Sequence, residues 1–361
     1  MYQIIRLVSI TMYLLVTILV FICIEALFAN SYHLIALKLA ISISYGTSLI
    51  VLSVLVWNLF SWLRINHSLN VLLYLIAISV NSLNAAITIA YLLTEYSDNP
   101  DIVRPQRSLT GAYSIINVKI GTAYVLTSVI SFVLMWLATA VLLRNYSSRL
   151  AKIKFWILIV LPLAYFLGQF QPLFLYTFTD FRMTNPVTFG IIYNIVINAS
   201  KPIGALLFGI AFWQTSKLIN NDSVKKYLIL SGYGMTLLFT SNQPLGLIFA
   251  PYPPFGVATI CYMSLASYLI LLGIYSSAIS VANDTKLRRS INKSLTTRTN
   301  LLDKIGDAEM KQQLESMIMK ETRILSTKIE HDTGIQPSLD EKELKHYIEI
   351  AIDEAKARAR K

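Results

Sequence analysis

Charged residues are scarce in this sequence of 361 residues. Only 14% of the residues are charged and 55% are hydrophobic, whereas a soluble domain has about 25% charged and 45–50% apolar residues. Acidic residues are the rarest, because the first 281 residues contain 15 Lys and Arg but only six Asp and Glu. This composition excludes an ordinary soluble globule and is typical of a protein with several membrane spans.

Groups that could perform catalysis or bind a metal are also few. The two cysteines, Cys23 and Cys261, both lie in apolar runs, and the four histidines are scattered, so neither a disulfide framework nor a zinc-type spacing is present. The sequence has no HExxH, GxSxG, GxGxxG or Walker pattern, and no apolar run has two carboxylates one helical turn apart. We therefore predict no catalytic residue, no metal site, no cofactor and no enzymatic activity.

Polar residues interrupt one apolar run, residues 189–215, which is long enough to cross a bilayer. Asn194, Asn198 and Lys201 are spaced i, i+4 and i+7, so a helix places them on one face. Pro202 and Gly204 follow, and this pair predicts a kink or a break. Since a lysine near the bilayer centre costs about 2.5–3.5 kcal/mol, we expect Lys201 to face protein or water.

The apolar runs predict an all-α, polytopic transmembrane helix bundle of eight spans. Their approximate bounds are 7–28, 34–60, 69–93, 120–143, 155–178, 189–215, 227–250 and 257–281. The first run is too long for a signal peptide and lacks a good cleavage site, so we expect an uncleaved span. Cleavage would leave seven spans. The polar break at residues 241–244 leaves a second alternative, in which the last two runs re-enter instead of crossing.

The charges between the runs orient this bundle. One set of ends has ten basic positions or clusters: Arg6, Arg64, Arg144, Arg149, Lys152, Lys154, Lys217, Lys225, Lys226 and the cluster at 286–289. The opposite ends have Arg104, Arg107, Lys119 and Arg182. With eight spans the first set lies on one side, which the positive-inside rule assigns to the cytoplasm. Both termini are then cytoplasmic. The excess of basic residues follows from topology, so we predict no nucleic-acid partner.

Residues 1–281 form the predicted bundle, and residues 282–361 form a cytoplasmic tail of mixed charge. Lys286, Arg288 and Arg289 lie just after the last span and are predicted to contact lipid headgroups. An apolar stripe then predicts an amphipathic helix from Asp307 to Gly334; its members are Leu314, Met317, Ile318, Ile324, Leu325 and Ile329. A capping box at Ser338 predicts a second such helix, with Leu344, Tyr347, Ile348, Ala351, Ile352 and Ala355. These stripes can pack on each other as a hairpin, on a second copy or on a cytoplasmic protein, through residues 307–355.

Several other polar residues lie within the predicted spans. Glu25 and Lys38 are at similar depth and can form an intramembrane ion pair, or each can reach the surface separately. Asn81, Ser82 and Asn84 are expected to pack one helix against another. Gln169, Asn242 and Gln243 map to the outer third, and with Lys201, Asn194 and Asn198 they outline a ligand-binding funnel open outward. The alternative is that these amides simply bond across helices.

Three functions fit this pattern. The first is a sensor or receptor-like protein, with an outward polar pocket and a helical tail that acts through a partner. The second is a transporter or channel for a small polar or anionic solute, because interrupted helices are typical of transporter sites. The third is an accessory subunit of a membrane complex, whose tail binds a soluble protein.

One family resemblance is present. The segments SNQPLGLIFAPYPPFG (241–256) and SAISVANDTKLRRSI (277–291) resemble uncharacterised polytopic membrane proteins of ammonia-oxidising archaea. The resemblance covers most of the chain, and its motifs are not tied to a known activity. It implies a plasma-membrane location and an archaeal lipid environment.

Overall fold

The computed structural model describes residues 2–29, 33–98, 118–144, 152–168, 179–217, 221–242, 255–283 and 301–333, and every element in these ranges is an α-helix. In chain order the helices are α1 (Tyr2–Ala29), α2 (Leu34–Ile65), α3 (Leu69–Asp98), α4 (Val118–Arg144), α5 (Lys152–Gly168), α6 (Thr179–Thr184), α7 (Pro186–Ser216), α8 (Asp222–Ser241), α9 (Phe255–Asn283) and α10 (Leu301–Thr333).

Within the described ranges, five stretches are long and apolar enough to cross a bilayer: Gln3–Glu25, Leu34–Ile65, Leu69–Thr94, Lys119–Arg144 and Ile260–Ala282. They belong to α1, α2, α3, α4 and α9. Large apolar side chains on the outside of the bundle are exposed, among them Ile10, Trp57 and Leu126. An apolar exterior of this kind is expected where lipid replaces water as the solvent. The fold is therefore an all-α bundle compatible with a multi-pass membrane protein.

Six helices form a closed ring around the interior. In the order α2, α3, α4, α7, α8 and α9, each packs on the next, and α9 packs back on α2. Helix α1 packs against α2 and α9 from outside, and α5 packs mainly against α7. Helix α10 lies across one end of the ring, in contact with α9, α2 and α3.

Neighbouring long helices of the described chain run in opposite directions along the sequence. Two contacts at different heights fix each direction. They are Thr11–Thr47 with Glu25–His33, Asn81–Ser131 with Asn84–Thr127, Trp136–Ile159 with Phe132–Phe166, and Ala205–Thr236 with Trp213–Ile229. Because of this alternation, the α2–α3 turn, the α7–α8 turn, the end of α9 and the start of α1 all lie at one end. We call it the Arg64 end, and the opposite one the His33 end.

Helices α7, α8 and α9 approach each other closely at glycines. A Cβ on Gly209 would lie 2.9 Å from the Gly232 carbonyl oxygen, and one on Gly273 would lie 2.5 Å from the Tyr227 carbonyl oxygen. Small residues at such contacts are the usual means of packing helices in membranes. These glycines therefore allow α8 to pack closely between α7 and α9.

The helices agree in part with the predicted spans. Helix α7 continues through Pro202 without a break, and α8 ends at Ser241, where the sequence predicted an interruption. A short helix, α6, occupies part of the predicted turn at residues 179–188. The tail is already helical from Leu301, so the predicted start at Asp307 is wrong. The predicted stop at Gly334 lies outside the described residues. The second tail helix, residues 338–355, lies outside the described residues.

Candidate functional site

Lys201 lies halfway along α7, and its ammonium group contacts other ring helices. Its Nζ donates to the Asn242 carbonyl oxygen at 3.1 Å and to the Tyr124 hydroxyl at 3.3 Å, and it lies 5.6 Å from the centre of the Tyr124 ring. Tyr124 is on α4, and Asn242 caps the C-terminal end of α8. The ammonium group therefore bonds to protein, as its cost in a lipid environment requires.

The end of α8 supplies part of the compensation for this charge. Pro244 has no N–H and disfavours helical geometry at the residue before it, so α8 ends within the ring, close to Lys201. The last carbonyl groups of a helix lack intrahelical donors and together carry about half a negative charge. Asn242 presents one such carbonyl to Lys201. The break in α8 thus creates an acceptor for the ammonium group.

Further hydrogen bonds extend from Asn242 to two more helices. Its side-chain Nδ2 donates to Asn84 Oδ1 on α3 at 2.9 Å, and the Tyr45 hydroxyl on α2 donates to its Oδ1 at 3.4 Å. Asn84 Nδ2 in turn donates to Thr127 Oγ1 at 2.9 Å and to the Tyr124 carbonyl oxygen at 3.3 Å on α4. We call Lys201, Tyr124, Asn242, Asn84 and Tyr45 the Lys201 network. It joins α2, α3, α4, α7 and α8, which are five of the six ring helices.

The charge of Lys201 has no carboxylate partner in the described part of the chain. No carboxylate oxygen there lies within 4.0 Å of its ammonium group. An ammonium group has three donors, and two of them are used in the hydrogen bonds to Asn242 and Tyr124. Among the described residues, the third donor has no acceptor, and such a donor suits a carbonyl group or an anion.

Aromatic rings border the network on both sides along the ring axis. Toward the Arg64 end, the rings of Phe132 and Phe166 stack with centroids 3.8 Å apart, and those of Phe208 and Phe239 lie 4.9 Å apart. Phe132 also contacts Phe208 at 5.3 Å, so the four rings form one cluster. Toward the His33 end, Tyr91 stacks on Tyr124 at 5.4 Å. The phenylalanine cluster therefore packs beside the network on its Arg64 side.

The structure brings together only some of the predicted site residues. Lys201 and Asn242 meet directly. Asn194 and Asn198 lie on α7, but their side chains are outside the description, as are Gln169 and Gln243. Tyr45 and Tyr124 were not predicted, and Asn84 was assigned to helix packing. The signal for Asn84 was its amide within an apolar span, but the sequence could not name its partners.

Glu25 contacts His33 at the His33 end. Its Oε1 lies 2.5 Å from His33 Nδ1, and its Oε2 accepts from the His33 backbone N–H at 3.0 Å. The Glu25 carboxylate thus links the last turns of α1 to the residue that precedes α2. The predicted ion pair of Glu25 with Lys38 stays a prediction. Lys286, Arg288 and Arg289 lie outside the described residues.

A second polar contact lies at the Arg64 end, where α10 docks on the bundle. Trp62 Nε1 on α2 donates to Glu309 Oε2 at 2.8 Å, and Gln313 Nε2 donates to Glu309 Oε1 at 3.0 Å. The Glu309 side chain is buried. Asn66 Nδ2 donates to the Lys304 carbonyl oxygen at 3.1 Å, and Gly306 packs against Val281 of α9. The first turns of α10 are therefore packed on the bundle.

In the described ranges, no group of three or more His, Cys, Asp or Glu side chains is close enough to hold a metal ion. No protein-family model matches the chain, and neither a curated protein nor a solved structure is significantly similar to it. The resemblance to archaeal membrane proteins stays a prediction.

Proposed function

We propose that this protein is an eight-span membrane protein with both termini in the cytoplasm. It senses a small polar solute at Lys201 and passes the change to its tail. The further assignment to the plasma membrane depends on the family resemblance alone.

Three features support the eight-span topology. Besides the five helices with clear membrane character, α5, α7 and α8 continue the alternation of direction in the described chain. All five tryptophans of the sequence lie within eight residues of the Arg64 end of a helix: Trp57, Trp62, Trp136, Trp156 and Trp213. Tryptophan is enriched at membrane interfaces, and basic residues are enriched on the cytoplasmic side. Arg64, Arg144 and Lys217 lie at the same end.

The sensing role depends on the contacts of helix α2 with both the Lys201 network and the tail. Its residue Tyr45 bonds to the Lys201 network, and its residue Trp62 bonds to Glu309 of the tail. The two lie 17 positions apart, which is about 25 Å along one helix. A helix packed on both sides moves as a rigid element, so a solute that displaces Tyr45 changes the docking of α10.

The test measures α10 docking while the network is perturbed. In a Cys23→Ala, Cys261→Ala background, Asn66→Cys and Lys304→Cys report docking through their rate of disulfide formation. We expect small polar and anionic solutes that bind to change this rate, and Lys201→Met to abolish the response. Lys119→Met is the matched control, because Lys119 is exposed at the His33 end of α4. A rate indifferent to every solute and to Lys201→Met would overturn the sensing role.

The second candidate is a transporter or channel for a small polar or anionic solute. The observation that favours it is the end of α8 inside the ring, where Asn242 presents a carbonyl oxygen to Lys201. Interrupted helices with exposed backbone groups are a feature of transporter sites. Solute flux into proteoliposomes that is lost in Lys201→Met would establish this candidate. Tight vesicles under all gradients would exclude it.

A further inference from the structure

Helix α10 has two apolar faces on opposite sides. Leu301, Ile305 and Ala308 are buried against the bundle. Leu314, Met317 and Ile318 each follow a docked residue (Ile305, Ala308 and Glu309) by nine positions. Nine positions are about two and a half turns, so these side chains point away from the docked face.

The second face is exposed. Met317 is 63% exposed and Ile324 is 54% exposed, with Leu314 and Ile318 at 38% and 37%. We call Leu314, Met317, Ile318 and Ile324 the outer stripe. The outer stripe is turned away from α2, α3 and α9, so the bundle that covers the first face cannot cover the second. Exposure of this apolar stripe to water is energetically unfavourable, so a single helix is not stable with the stripe uncovered.

We propose that residues 339–358 of the same chain cover the outer stripe as an antiparallel helix. Residues 334–338 (GIQPS) form the turn, a length typical of antiparallel helix pairs. Both the segment 339–358 and the α10 segment 314–333 contain 20 residues, about 30 Å as helices. The proposal does not depend on the sensing role.

The side chains of the two segments match in one register. A turn at 334–338 places Ile324 opposite Ile348, and Met317 and Ile318 opposite Ala355. The same register places Lys320 near Glu354 on one flank of the two stripes and Glu315 near Lys356 on the other, and both pairs have opposite charges. Lys328 then lies near Lys345, a like-charge pair near the turn. The apolar positions and the charges along most of the length favour this pairing.

The test uses disulfide formation in the full chain, in lipid nanodiscs and in the Cys23→Ala, Cys261→Ala background. Ile324→Cys with Ile348→Cys is the in-register pair. Met317→Cys with Leu344→Cys is the matched control, 11 positions out of register. We expect an intramolecular disulfide in the first pair, formed at least about tenfold faster than in the control, since Cβ atoms must approach within about 4.5 Å.

A charge exchange tests the register independently. Lys320→Glu should slow the in-register disulfide, and adding Glu354→Lys should restore its rate. Gel filtration, together with the Asn66→Cys and Lys304→Cys docking disulfide, verifies that each variant is folded.

Three outcomes overturn the proposal. A disulfide-linked dimer means that a second copy covers the outer stripe. Absence of the disulfide in both pairs means that another protein, the bilayer or nothing covers it. Failure of Glu354→Lys to restore the rate excludes the proposed register.

Discussion

At the scale of single residues, Lys201 combines a costly charge with modest compensation. An intramembrane lysine costs about 2.5–3.5 kcal/mol, while each hydrogen bond across membrane helices returns about 0.6 kcal/mol on average. The two bonds to Tyr124 and Asn242 do not balance this cost. Retention of the charge at a loss of stability is the pattern expected of a functional residue.

The first prediction follows from this balance. Lys201→Met removes the buried charge and keeps the length of the side chain, so the free energy of unfolding should stay the same or rise by about 1–2 kcal/mol. Chemical denaturation in detergent, followed by far-UV circular dichroism, measures it. A fall of more than about 1 kcal/mol would instead identify Lys201 as a structural cap for the end of α8.

Two asparagines on α3 provide a matched pair for the second prediction. Asn84 makes hydrogen bonds to Asn242, Thr127 and the Tyr124 backbone. Asn81, one turn earlier, accepts a bond from Ser131, and its Nδ2 has no partner in the described structure. Asn84→Ala should therefore lower the free energy of unfolding by about 1–2 kcal/mol, and Asn81→Ala by less. Equal losses in the two variants would show that the network adds no stability.

The sequence identified Lys201, whose charge is the most costly to place in the membrane. It did not identify the residues that hydrogen-bond to it. Lys201 is conspicuous because a lysine in an apolar run has few acceptable environments. Asn242 could be predicted because it precedes Gln243 and Pro244, which interrupt a span. Tyr45 and Tyr124 could not, since a tyrosine in an apolar span is ordinary and its partner lies 77 to 197 positions away.

At the scale of elements, the path of α7 is set by a close contact with α4. A Cβ on Gly204 would overlap the Phe132 ring, so the ring occupies the space that a larger residue would need. Gly204 and Pro202 predicted a kink or a break, yet α7 stays helical through both. The glycine is explained by packing, and the sequence pattern alone could not separate packing from a break.

The third prediction compares two glycines. Gly204→Ala should lower the free energy of unfolding by about 1–3 kcal/mol, because Phe132 must leave its cluster to make room. Gly46→Ala on α2 has open space around the added methyl group. This change should raise the free energy of unfolding by about 0.5–1 kcal/mol through helix propensity. Phe132→Leu, which shortens the obstructing side chain, should reduce the loss in Gly204→Ala. Losses that are equal at the two positions would contradict this account.

The docking of α10 is the element-scale feature that the sequence did not reveal. The pattern predicted a helix from its stripe, but Trp62 and Glu309 are 247 positions apart, and nothing local indicates that an indole and a carboxylate will meet. The docked face of α10 is also short, since it consists of Leu301, Ile305, Ala308 and Glu309. Periodicity analysis selects the longer outer stripe instead.

The fourth prediction concerns this contact. Trp62→Phe keeps an aromatic ring to stack on Tyr275, and leaves the buried Glu309 carboxylate without its indole donor. An unsatisfied buried acceptor costs about 1–3 kcal/mol, so amide exchange in α10 should accelerate about 5- to 100-fold. Trp57→Phe is the control, because Trp57 is 70% exposed. Adding Glu309→Leu should restore protection from amide exchange, since it removes the buried carboxylate that lacks a donor. Unchanged exchange in Trp62→Phe would show that the Trp62–Glu309 hydrogen bond does not hold α10 on the bundle.

At the scale of the whole molecule, the direction of each helix, the tryptophans and the basic residues all distinguish the same two ends. The direction of the helices comes from the fold, while the positions of the basic residues come from the sequence. Arg64, Arg144 and Lys217 all lie at the end that the helix directions define. A bundle oriented in a bilayer accounts for both, because basic residues are enriched in cytoplasmic loops and tryptophans are enriched at membrane interfaces.

The fifth prediction tests the crossing of α7, the helix that contains Lys201. Met183 lies just before α7 at the His33 end and is 80% exposed, and Lys217 follows it at the Arg64 end. In the Cys23→Ala, Cys261→Ala background, a membrane-impermeant maleimide applied to intact cells should label Met183→Cys and not Lys217→Cys. Inverted vesicles should give the opposite result. If both positions are labelled from the same side, α7 does not cross the membrane. Lys201 could then reach water from the membrane surface, and its charge would not need the hydrogen bonds found inside the ring.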